Sequence, residues 1–95
     1  MKAVLLTRDR IALGPDSFVA SVLWHVPLPV LGSLHQYKYS LAYVVRGICE
    51  VRYDNERGKG DHRHIGHIES PYTFTTIEQL IADFWSDVKG WRERE

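Results

Sequence analysis

The sequence predicts an α+β fold: a mainly antiparallel sheet of four to five strands with one C-terminal helix packed on it. Three observations predict it. Apolar residues alternate with polar ones through residue 54, as half-buried strands require. The turn signals "GPDS" and "RG" divide that region. Finally, Ile77, Leu80, Ile81, Phe84, Val88 and Trp91 recur at helical spacing. Strands first and one helix last is the order of a sheet covered by a helix. At 95 residues, a single domain over 1–95 is expected.

The first strand centres on residues 3–6, with residue 13 as its outer limit. "GPDS" then turns the chain, and "FVASVLWHV" (18–26), β-branched and aromatic, returns it. "PLPVLGS" (27–33) is no central strand, because its two prolines lack ladder donors; it reads as a connector. "HQYKYSLAYVV" alternates, with His35, Tyr37, Tyr39, Leu41 and Tyr43 on one side and Lys38, Ser40, Ala42 and Val44 on the other. A two-residue turn at 46–47 leads into "ICEVRYD". It sets Val45 opposite Ile48, Tyr43 opposite Glu50, Leu41 opposite Arg52 and Tyr39 opposite Asp54. The more apolar side is then Ala42, Val44, Cys49, Val51 and Tyr53, the expected core face. A slip of one residue reverses these assignments. "HIGHIE" reads as a short edge strand. Thr75 with Glu78, or Thr76 with Gln79, has the spacing of a capping box before the helix.

Lys plus Arg equals Asp plus Glu, twelve of each, so no whole-molecule field steers the chain toward nucleic acid, and any phosphate binding must be local. A neutral chain is weakly protected against association, which leaves a homodimer open. One cysteine, Cys49, forms no intrachain disulfide, as expected of a cytoplasmic protein. No apolar run reaches the ~18–20 residues of a membrane span. "MKAVLLTRDR" breaks into charge too soon for a signal peptide.

The chemistry concentrates in "RYDNERGKGDHRHIGHIE" (52–69), which holds three of the five histidines. His62 and His64 lie at i, i+2, a pair that projects to one side only if the segment is extended. Imidazoles titrate near neutrality, so the pair suits acid and base in RNA cleavage. The plainer alternative is a solvated loop with no role. Three histidines, His62, His64 and His67, with Asp61 and Asp54 nearby, also raise a metal reading. Their spacing fits no established zinc pattern, so no metal and no cofactor are assigned. Arg52, Arg57, Lys59 and Arg63 supply cations, and the glycines of "RGKGDH" allow close backbone approach to a phosphate. Tyr37, Tyr39 and Tyr43 form a candidate base-stacking row, although cross-strand packing is the commoner role, above all for Tyr43.

"GSLHQYKYSLAYVVRG", "RYDNERGKGDHRH" and "PYTFTTIEQLIADFWSDV", with the W-x-x-P-x-P of "WHVPLPVLGS", resemble the TumE family of toxins from type II toxin–antitoxin modules. The resemblance covers nearly the whole chain. It implies a small cytosolic toxin, often encoded beside a helix-turn-helix DNA-binding antitoxin; translation inhibition by RNA cleavage is the expectation by analogy with other small α+β toxins. The matching polar positions are His35, Tyr37, Lys38, Tyr39, Ser40, Arg52, Tyr53, Asp54, Asn55, Lys59, Gly60, His62, Arg63 and His64. His67 receives no family role.

The leading expectation is therefore a metal-independent endoribonuclease toxin with RNA as substrate. His62 and His64 are the acid–base candidates, Asp54 at the strand end orients a histidine or arginine, and Tyr39 assists. Arg52, Lys59 and Arg63 hold phosphate charge, and Tyr37, Lys38, His35 and Asn55 complete the substrate contacts. The alternatives are a non-catalytic toxin that blocks a protein or nucleic acid, and a metal-dependent nucleotide or phosphate transferase. The antitoxin is expected on the site face around Tyr39, Asp54 and His64, ahead of the helix surface near Trp85 and Trp91.

Overall fold

The computed structural model describes residues 2–94. The strands are β1 (Val4–Gly14), β2 (Ser17–His25), β3 (Tyr37–Val45), β4 (Ile48–Glu56), β5 (Gly60–Ile65) and β6 (Ile68–Pro71), followed by the helix α1 (Ile77–Glu93). All six strands form one antiparallel meander in chain order. The class is as expected, with six strands where four to five were counted. The surplus arises because residues 60–71 form one hairpin of two strands, β5 and β6, whose turn falls inside the segment 64–69 expected as a single edge strand.

The β3–β4 turn holds Arg46 and Gly47 at φ 48° and 79°, the twisted two-residue turn that joins antiparallel strands without splaying them. The register then departs from the simple reading. Val44 pairs with Cys49 and Tyr43 with Val51, so Glu50 is an extra, unpaired residue in a β-bulge. Beyond it every residue of β4 is moved by one. Ser40, not Tyr39, faces Asp54, and Leu41 faces Tyr53.

The bulge corrects the expected core face. The buried residues are Val19 and Leu23 of β2, Tyr39, Leu41, Tyr43 and Val45 of β3, and Val51 and Tyr53 of β4. Ala42 and Val44 lie on the other side, and Cys49 is exposed. Without the bulge Tyr43 and Leu41 would meet Glu50 and Arg52. With it the apolar sets of β3 and β4 coincide, and each large side chain so buried contributes roughly 1.5–3 kcal/mol. Tyr39 and Tyr43 are core residues, which closes the base-stacking role to them.

Helix α1 lies across this face and buries Leu80, Phe84 and Val88, while Ile81 stays exposed and Trp85 packs against the core in its place. Thr76 is the N-cap, its side chain accepting from the Gln79 backbone N–H at 3.1 Å. The helix is tied down by two phenols. Tyr53 donates to Asp87, and Tyr72 donates to Asp83 at 2.6 Å. The opposite face of the sheet carries no helix among the described residues, and along β2 and β3 its residues are half-buried apart from the exposed Lys38.

The connector at 27–36 crosses one end of the sheet. The Gly58 N–H donates to Leu31 O at 2.7 Å and Val26 N–H to Gln36 O at 2.9 Å. Gly32 and Gly60 meet backbone to backbone at this crossing, and both have positive φ.

That crossing generates a stability prediction. A Cβ on Gly32 would sit 2.7 Å from Gly60 N at φ +99°, whereas one on Gly58 meets nothing within 4 Å. Gly32→Ala should therefore cost roughly 2–5 kcal/mol, and Gly58→Ala only about 1–2 kcal/mol from its left-handed backbone. Urea denaturation of the two variants checks this, and equal losses would contradict it.

Phenols held away from water, Tyr53 in the core and the half-buried Tyr72 among them, contribute to the alkaline limit of the fold. Burial first, then the bond to Asp87, raises the Tyr53 pKa; burial, then the bond to Asp83, raises that of Tyr72. A phenol in the unfolded chain ionises near pH ~10. The stability these two groups contribute is thus fully present below that value and is lost as pH rises beyond it. Denaturation midpoints measured from about pH 8 to about pH 11 should fall, and fall less in Tyr53→Phe/Tyr72→Phe.

Candidate functional site

The pleat of the sheet divides the expected site in two. On β4 and β5, Arg52 pairs with His64 and Asp54 with His62, and all four side chains point to the open face. Their neighbours Tyr53, Asn55, Asp61 and Arg63 alternate onto the helix face, as do Tyr37 and Tyr39 of β3. Tyr39 and Asp54 therefore lie on opposite sides of the sheet and form no single surface.

The open-face group is tightly arranged. Asp54 and His62 are only 8% and 5% exposed. His62 Nε2 lies 2.8 Å from Asp54 Oδ1, and Arg52 Nε lies 2.9 Å from Asp54 Oδ2. The second ring nitrogen of His62, Nδ1, lies 3.1 Å from Gly60 O. A carbonyl oxygen accepts only, so Nδ1 is a nitrogen that carries a hydrogen. Nδ1 is thus engaged within the protein, while Nε2 sits beside the Asp54 carboxylate without a hydrogen bond to it. The expected exposed pair of imidazoles is corrected: His62 is buried in a strand, and His64, with 35% of its side chain exposed, is the one that reaches solvent. The rings stand edge to face, 5.2 Å apart.

Glu69 of β6 pairs with His64 across the next ladder and joins this group. Its Oε1 lies 3.9 Å from Nε2 of each histidine and 3.0 Å from Lys59 Nζ. The bond from Lys59 lowers the Glu69 pKa, and Glu69 in turn raises that of Lys59, so both are charged at neutral pH. Sequence reasoning missed Glu69. A two-residue turn at Gly66–His67 would have set it opposite His64.

The helix-face group forms a separate network around Asp61. Its carboxylate accepts from Ser33 Oγ at 2.5 Å, His35 Nε2 at 2.7 Å and Tyr39 OH at 2.6 Å. His35 also accepts the Tyr37 N–H at Nδ1, 3.2 Å away, and its ring stacks on Phe74 at 3.8 Å between centroids. Burial, then Asp61, raises the Tyr39 pKa, so the phenol stays a donor. Asn55 is 0% exposed. Its amide donates to Tyr37 O at 2.6 Å and accepts the Tyr39 N–H at 3.0 Å. The Asn55 carbonyl accepts from Lys38 Nζ. These groups hold the start of β3 and the connector against β4 and β5. Arg63 turns toward the helix, where Nη2 lies 3.8 Å from Asp87 Oδ2, and is not beside the two histidines. Ser33 and Asp61, the hub of this network, were not singled out as site residues, because nothing in their spacing shows that the connector returns to β5.

The open face extends from this cluster across β3, β2 and β1. Lys38 pairs with Trp24, Arg8 with Val22 and Arg10 with Ala20, so Lys38, Trp24, Arg8, Arg10 and Phe18 share that side. The Arg10 guanidinium lies 3.7 Å above the Phe18 ring.

No helix among the described residues is long and apolar enough to cross a membrane. Neither a curated protein nor a solved structure matches the chain. A family model described as Toxin TumE matches residues 3–92, nearly all of it. With the motifs quoted above and a match of this extent, the chain belongs to the TumE family of toxins.

Proposed function

We propose that this toxin is one half of a type II toxin–antitoxin pair and that it cleaves RNA on the open face of its sheet. The observation that carries this reading is the convergence of Arg52, Asp54, His62 and His64 on the uncovered side, in line with Lys38, Arg8 and Arg10. A single strand lying across such a face meets cations for its phosphates and Trp24 and Phe18 for its bases. The chain's zero net charge does not oppose this, because the cations of β1 to β4 are gathered on one side and the acids of α1 lie on the other.

The residues divide accordingly. Arg52 and Lys38 meet the backbone phosphates, and His64 stands at the exposed edge of the cluster beside the reacting group. Asp54 and His62 form its buried floor. A proton-shuttling pair needs two imidazoles open to substrate, and here only His64 is open, so His62 acts through what it holds rather than on the RNA. His35, Tyr39, Asn55 and Asp61 keep the sheet end in shape without touching substrate. Toxin-family membership implies an antitoxin. One with a helix-turn-helix domain that laid a segment on the open face would block the strand and the cluster together.

The test is purified protein with total RNA and with a short single-stranded RNA. Fragments should accumulate, and His64→Ala should lower cleavage by about a hundredfold or more while the fold persists. Binding should weaken as salt rises. In Arg10→Glu/Lys38→Glu the slope of log affinity against log salt should shrink by about 0.7 for each phosphate that is no longer neutralised. RNA left intact, with binding indifferent to salt and to both reversals, would favour a toxin that blocks a protein target instead.

A further inference from the structure

We propose that Asp54, His62 and His64 hold a divalent transition-metal cation, of the zinc class, on the open face. The site stands on the geometry alone. Only its use in cleavage rests on the RNA reading above.

Neighbouring strands bring the ligand atoms together. Asp54 projects from β4 and His62 and His64 from β5, and one donor atom of each lies within 4.8 Å of the others. Around a tetrahedral zinc ion with bonds of about 2.0–2.2 Å, neighbouring ligand atoms stand roughly 3.3 Å apart. Here Nε2 of His62 is 2.8 Å from Asp54 Oδ1, and the donor atoms of all three residues lie within 4.8 Å of one another. Those separations bracket the ideal. The donor set, two imidazoles with carboxylate, suits zinc and its first-row neighbours.

The second observation is independent of the clustering. Among the described residues, Asp54 Oδ1 is a buried side-chain oxygen with no hydrogen-bond partner, although Asp54 is only 8% exposed. His62 Nε2 is close enough to be that partner, yet the contact lacks the alignment of a hydrogen bond. With the ring hydrogen on Nδ1 facing Gly60 O, Nε2 of the neutral ring keeps a lone pair free for a ligand. A ring nitrogen and a carboxylate oxygen 2.8 Å apart in a buried setting repel unless a second ring proton or a metal cation lies beside them, and the poor alignment of the contact disfavours the proton.

The outer groups fit the same role. A metal-bound histidine characteristically donates its other ring N–H to a carbonyl, as His62 does to Gly60 O. Arg52 occupies Asp54 Oδ2 at 2.9 Å, which leaves Oδ1 to bind alone. Lys59 holds Glu69 at 3.0 Å, so the fourth position is left to water or to a phosphate oxygen of the strand. Three protein ligands and one open position is the pattern of catalytic rather than structural zinc. Asp54 and Glu69 balance Arg52 and Lys59, so a bound cation would leave a net positive site facing a phosphodiester. In the cleavage proposed above the cation would act as Lewis acid.

Dialysis against EDTA followed by calorimetric titration with Zn²⁺, and by Co²⁺ monitored in the visible, tests the site. One equivalent should bind, with the visible bands of tetrahedral Co²⁺. His64→Ala and Asp54→Ala should each weaken binding about 10–100-fold or more, while His67→Ala, in the exposed β5–β6 turn, should leave it unchanged. Because Asp54 is buried, the half-exposed His64 is the decisive variant, with circular dichroism to check its fold. No binding, or binding unchanged in His64→Ala, overturns the proposal. Zinc binding with no RNA cleavage would support the site and defeat the RNA reading. Cleavage by EDTA-treated protein that binds no zinc would do the reverse.

Discussion

The unpaired Glu50 in the β3–β4 hairpin decides which side of the sheet each later residue of β4 occupies. A strand has period two, so one extra residue exchanges the faces of everything beyond it. Val51 and Tyr53 are thereby turned to the side of Leu41 and Tyr43, and Arg52 and Asp54 to the other. The pairing of β4 with β5 carries the choice onward to His62 and His64. The core and the polar cluster are two consequences of one bulge. Each large apolar side chain buried this way contributes a few kcal/mol, more than the ladder loses at one unpaired residue, so the register is strongly held.

The same choice separates framework from chemistry. On the helix face, Asp61 and Asn55 are surrounded by donors from the connector and β3, and every contact closes within the protein. Such a network rigidifies because leaving one member unpaired in a low dielectric is costly. On the open face the balance differs. Asp54 keeps one oxygen without a partner, His62 has its tautomer fixed by Gly60, and His64 and Glu69 remain partly accessible. Incomplete satisfaction on the accessible side and complete satisfaction on the covered side is the distribution expected of a site resting on a rigid base.

The open face itself follows from having one helix and six strands. A single helix covers one side of the sheet, so the other must be tolerable to water. The residues there meet that need with Arg and Lys beside Trp24, Phe18 and small side chains. Their stems cover apolar surface while their charges stay solvated. The charges that make the uncovered face tolerable to water are the same ones that the proposed RNA contact would use.

Much was legible in the sequence. The helix stood out because its apolar stripe repeats over 15 residues, Ile77 to Trp91, with a capping pair at its start. "RG" fits a turn that needs two positive φ values, and "PLPVLGS" lacks the donors of a central strand. The quoted motifs pointed to the toxin family. The importance of residues 52–64 was also visible, because titratable groups and glycines cluster there. Three features were hidden. The bulge at Glu50 leaves no local mark, since either register satisfies the backbone and only the match of apolar faces across β3, β4 and α1 selects one. Strand β5 escaped notice because "GDHRHI" is polar on both sides, so period two has no hydrophobic signal until β4 lies beside it. The division of the polar residues into a covered network and an open cluster required both register and helix placement. Local sequence determines which residues turn, cap and alternate, because those preferences act within a few residues. Which face is buried is a sum over contacts between distant segments, and only the assembled sheet and helix decide it.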